Sequence, residues 1–177
     1  MIYIGKEIPE LNIDRSVYKP FIRNAWFRRN YMFFAYGLMI FLFFIAFIMG
    51  RLRIGSIVIR LAIFGVVYVV HELLHIVTIC SKGDIYLNHS GIYLWLTPDI
   101  ALPKGEFWLF MTMPLLILTV FTGVLSFITS DDIAMYLKYI AWINAVIAGS
   151  DIINSVLIAL EPRDSIFNRG YIKKHHL

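Results

Sequence analysis

His71-Glu72-Leu73-Leu74-His75 sets two imidazoles four residues apart, with a glutamate directly after the first. On an α-helix, residues four apart are separated by about 40° around the axis, so both rings reach one metal ion. Glu72 is turned by about 100° from His71, which lets it address a water beside the metal rather than the metal. A zinc hydrolase needs this arrangement: the cation lowers the pKa of water to about 7, and the carboxylate takes the proton. Given the abundance of His and Glu in the 177 residues, chance supplies such a pattern about 0.004 times per chain. The competing reading is a polar contact between membrane helices.

The surroundings of the motif are apolar. Of all residues 59% are hydrophobic and 16% charged, with a mean hydropathy of +0.73, where a soluble domain carries roughly 25% charged residues. The low charge follows if lipid covers most of the surface. Four stretches are long enough to cross a bilayer core, which takes about 20 helical residues: 31–50, 54–80, 107–129 and 133–160. The pattern predicts an all-α membrane protein of about four transmembrane helices, a single domain over 1–177, with the motif near the end of the second helix. A glutamate and two histidines in lipid are costly, and such residues usually mark function. The lone Cys80 excludes an internal disulfide and reads as packing.

Between the second and third spans lies the polar loop 81–106. Ile85–Asn88 and Ile92–Leu96 are β-prone runs around His89-Ser90-Gly91 and predict a short β-hairpin. Pro98, Pro103 and Gly105 are expected to end regular structure there. The N-terminal tail, this loop and the C-terminal tail hold 12 of the 16 Lys and Arg residues, which puts both termini in the cytoplasm. Arg51 and Arg53 argue the other way. Residues 1–30 lack the pattern of a cleavable signal peptide. Within them Tyr18, Phe21, Trp26 and Phe27 alternate with Lys19, Arg23, Arg28 and Arg29, as in an interfacial segment resting on anionic lipid. The partner read from that segment is the lipid bilayer, with no nucleic acid.

A catalytic zinc requires a third protein ligand and one open position. Within the four stretches the acidic residues are Glu72 and Asp151. His71 lies 17 residues beyond Ile54 and Asp151 lies 18 beyond Ile133, so helices that start at one surface bring them to nearly the same depth. Asp151 is the expected third ligand. The alternatives are a carboxylate capping a neighbouring helix or paired with Arg60; His89 and Asp84 in the loop are weaker ligand candidates. Asn144, Asn154 and Ser155 fall near the face of Asp151, where they either orient it, donate to an oxyanion, or join helices as hydrogen-bond glue. Gly149-Ser150 allows another helix to come close.

His71–His75 in one membrane helix, with Asn144-Ala-Val-Ile-Ala-Gly-Ser-Asp151-Ile in a later one, resembles the site-2-protease-like intramembrane metalloproteases. It is most similar to their small bacterial relatives described as zincin peptidases. The resemblance spans about Val67 to Ser155 and includes the strand-bearing loop and Pro114 early in the third span. It implies a bacterial membrane, zinc held by His71, His75 and Asp151, and Glu72 as catalytic base. The site-2 pattern has an Asp-Gly pair with nearby prolines; here Ile152 follows Asp151 and no proline precedes it. The expected function is zinc-dependent hydrolysis of a peptide bond in a membrane or membrane-proximal substrate near the cytoplasmic face. The alternative is a non-enzymatic membrane protein with a structural metal or a polar helix–helix site.

Overall fold

In the computed structural model the described residues are 1–5, 14, 16–90 and 93–173. Ahead of the first long helix come strands β1 (Ile2–Ile4) and β2 (Tyr18–Pro20) and a short helix α1 (Ala25–Arg29), capped by Asn24, whose side chain accepts from the Phe27 amide. Helix α2 (Tyr31–Ile48) ends on Gly50, whose φ of 68° is the left-handed turn that a side chain would resist. There the Arg51 amide bonds back to the Ala46 carbonyl. Ser56 caps α3 (Ile57–Ile79), which carries the histidine motif in its last third.

A β-hairpin follows, made of β3 (Asp84–Ser90) and β4 (Tyr93–Asp99). The short β5 (Leu102–Pro103) then leads into α4 (Lys104–Pro114), a π-helix over Leu115–Phe121, and α5 (Thr122–Leu125). Helices α6 (Asp131–Ile147) and α7 (Gly149–Leu160) meet at Ala148 with a bend of 67°. The chain closes with β6 (Ile166–Asn168) and β7 (Tyr171–Lys173) around Arg169 and Gly170, both with positive φ, as a two-residue hairpin turn demands.

Among the described residues three helices are long and apolar enough to cross a membrane, and the bent pair α6–α7 makes a fourth if counted as one span. Outward side chains such as Phe33, Phe41 and Phe44 on α2 and Val58, Leu61 and Val66 on α3 are exposed, the surface that lipid solvates. The expected span 133–160 is thus broken at Ala148, where the Gly149-Ser150 pair opens α7.

The expectation of an all-α chain with one hairpin also needs correction. Among the described residues seven strands form two sheets, in the orders β1-β3-β4 and β2-β7-β6-β5. Strand β1 runs parallel to β3, with Ile2 opposite Ile85. Strands of two or three residues are too short to show the alternation that marks a strand in sequence, and their partners lie far along the chain. Pro98 and Pro103 do not end the structure; they sit in β4 and β5, each the edge strand of its sheet, where a missing N–H costs least. The hairpin also exceeds its predicted bounds on both sides. Of the expected turn His89-Ser90-Gly91, His89 and Ser90 belong to β3, while Gly91, like Ile92 at the expected start of the second strand, lies outside the described residues.

The second sheet joins the N-terminal segment (β2), the central loop (β5) and the C-terminal tail (β6, β7). Those three parts of the chain therefore lie at one end of the helices. Buried Ile79, Ile85, Leu102 and Phe110 pack the end of α3 and the start of α4 onto the hairpin, so the strands seat the helix that bears the motif.

Candidate metal centre

Helical spacing puts His71 and His75 on the buried face of α3. Asp151 reaches them from the first turn of α7, where the helix dipole favours a carboxylate. Its Oδ2 lies 3.0 Å from His71 Nε2 and 3.4 Å from His75 Nε2, and the two Nε2 atoms are 3.3 Å apart. All three residues are buried.

The second nitrogen of each ring fixes what the first one offers. His71 Nδ1 is 2.9 Å from Asn144 Oδ1, and His75 Nδ1 is 2.6 Å from the Phe110 carbonyl oxygen. A carbonyl oxygen only accepts, so each Nδ1 carries the hydrogen and donates. In the neutral rings each Nε2 is then a bare lone pair. Two lone pairs and a carboxylate oxygen facing one another without a proton among them call for a cation. Ligand atoms around a tetrahedral zinc, with bonds of roughly 2.0–2.2 Å, stand about 3.4 Å apart. The observed triangle of 3.0, 3.3 and 3.4 Å fits that spacing. Among the described residues this is the one group of three or more His, Cys, Asp or Glu side chains that could hold a metal ion.

Asn144 is wholly buried. Besides accepting from His71, its Nδ2 donates to the Pro114 carbonyl at 3.0 Å and to Thr119 Oγ1 at 2.9 Å. Thr119 in turn donates to the Ala141 carbonyl. Of the alternatives the sequence left open, Asn144 forms hydrogen bonds that join helices, from α6 to His71 on α3 and to Pro114 and Thr119. The bend at Ala148 breaks its helical phase with Asp151. Asn154 Nδ2 lies 3.8 Å from Met111 Sδ, and the Ser155 hydroxyl is buried without a partner among the described residues. Asp84 instead holds the terminal amine of Met1 at 2.7 Å. The side chain of His89 lies outside the described residues. Glu72 is half-buried, and its carboxylate makes no hydrogen bond or salt bridge among the described residues.

A family model described as "Putative zincin peptidase" matches residues 62–166, which include His71, Glu72, His75 and Asp151. The chain belongs to this family. No curated protein and no solved structure matches the chain. The matched region leaves out α2, yet α2 supports the centre. Tyr31 donates its hydroxyl to the Ser150 carbonyl at 3.0 Å, beside Asp151. Directly before Ser150, Gly149 lies so close to α2 that an added Cβ would stand 2.5 Å from Met39 Cγ and 3.2 Å from the Ala35 carbonyl oxygen. Gly149 is thus the close approach that the Gly-Ser pair foretold. Gly149→Ala is expected to cost about 1–3 kcal/mol by overpacking and to weaken metal binding by tilting α7 away from α3. Thermal unfolding and zinc titration check this; if both stay at wild-type values, α2 does not set the position of Asp151.

Proposed function

We propose that this zincin peptidase is a zinc-dependent intramembrane metallopeptidase of the site-2-protease-like kind, cutting a peptide bond near the cytoplasmic membrane face. One observation carries the reading: the three bare donor atoms of His71, His75 and Asp151 within 3.4 Å of one another, next to a glutamate with no partner of its own among the described residues. A zinc held there supplies a Lewis acid that acidifies water and polarises a peptide carbonyl. Glu72 takes the proton from the attacking water and passes it to the leaving amine. His71 and His75 stay neutral and fixed in one tautomer by Asn144 and the Phe110 carbonyl. A structural zinc site closes with four protein ligands; three among the described residues favour catalysis.

His71 is eight residues before the end of α3, which places the centre about 12 Å from the end where the sheets lie. The bias of Lys and Arg towards that end supports a cytoplasmic location for it. Reporter fusions are expected to place both termini inside; either terminus outside overturns the topology.

Zinc analysis and a cleavage assay test the activity itself. Purified protein should hold one zinc per chain. Reconstituted in vesicles with a pool of membrane-spanning peptides, it should release fragments that disappear on chelation and return with zinc. Zinc bound at full occupancy with no fragment released from any member of the pool would speak for a structural metal.

A further inference from the structure

The two acceptors that fix the histidines lead to one irregular stretch of chain. In a regular α-helix the N–H of residue 114 bonds to the carbonyl of residue 110. Position 114 is proline, which has no N–H and whose ring pushes against the carbonyl four residues back. That carbonyl, on Phe110, is the one that accepts from His75 Nδ1 at 2.6 Å. The helix then changes to π over Leu115–Phe121. Residues five apart stand about 140° apart on an α-helix but come into line on a π-helix, where bonding runs from i to i+5. Pro114 and Thr119 are five apart, and a single amide group, Asn144 Nδ2, reaches the carbonyl of one and the hydroxyl of the other. That contact turns Asn144 Oδ1 to His71.

We infer that Pro114 is a positioning residue for both metal-binding histidines: its missing N–H reserves the Phe110 carbonyl for His75, and the π-turn it opens aims Asn144 at His71. This rests on the metal centre proposed above but not on peptidase activity. A polar partner on the far nitrogen of a ligand histidine governs tautomer and metal affinity, typically by 10- to 100-fold. In Pro114→Ala the new N–H competes for the Phe110 carbonyl. His75 then loses its fixed tautomer, and its Nε2 carries hydrogen part of the time.

Full-length protein in detergent, titrated with zinc against a competing chelator, is expected to bind about 10- to 100-fold more weakly as Pro114→Ala. The cobalt(II)-loaded variant should show a shifted visible spectrum. Replacing residue 114 by lactic acid, whose ester also lacks the N–H but has no ring, should restore affinity towards wild type. A merely structural proline predicts the opposite: alanine and lactic acid equally impaired, or both harmless. Either result overturns the inference while leaving the peptidase reading in place. Should Pro114→Ala not fold, nitrogen NMR of zinc-free wild type labelled in histidine decides, with His75 assigned by its loss in His75→Gln. Hydrogen on Nδ1 of His75 supports the inference, and hydrogen on Nε2 overturns it. A wild type that binds no zinc overturns both proposals.

Discussion

Glu72→Gln is expected to keep its zinc and its fold and to lose roughly a thousandfold or more in peptide-bond turnover. Glutamine has the size and hydrogen-bonding reach of glutamate but not its basicity. Glu72 is half-buried and makes no bond that holds the fold together among the described residues, so the exchange should leave stability within about 0.5 kcal/mol. Comparing membrane-peptide fragments in cells that express wild type and Glu72→Gln works whatever the substrate is. Equal zinc in the two proteins and identical fragments under every growth condition would end the protease reading. A fall in zinc content in the variant would instead make Glu72 a ligand and return the question of the base.

Removing any one of His71, His75 or Asp151 is expected to weaken zinc binding by more than about 100-fold, the upper range for loss of an outer partner. Asp151→Asn is the sharper test. It preserves volume and removes the charge that two imidazoles cannot replace. Asp84→Ala, which breaks only the contact with the Met1 amine, should bind zinc as wild type does. Retention of full affinity by Asp151→Asn together with its loss in Asp84→Ala would move the third ligand into the loop.

The convergence of His71, His75 and Asp151 was legible because each part leaves its mark locally. The i, i+4 histidines need only a helix, and a carboxylate within an apolar stretch is conspicuous by composition. Matching depths along two helices led to Asp151 even though its helix is not straight, because the bend comes three residues before it. The role of Asn144 was hidden by that same bend, since counting residues assumes one unbroken phase. The Phe110 carbonyl was beyond reach for a different reason: a backbone oxygen has no letter in a sequence, and Pro114 is its only trace. Sheet content was missed where strands are short. Gly170 was the one cue to the β6–β7 turn, and an Arg-Gly pair is a weaker hairpin signal than Asn-Gly or Asp-Gly.

Strand order also constrains the birth of the molecule. Strand β2 pairs with β7, Lys19 opposite Ile172, so the earlier strand waits for one made much later. At a synthesis rate of about 5–20 residues per second, that delay is roughly 8–30 s. The helix carrying Asp151 emerges only shortly before β7. A nascent chain therefore carries both histidines for seconds before Asp151 is made, and a copy cut short ahead of Asp151 cannot assemble the group of three.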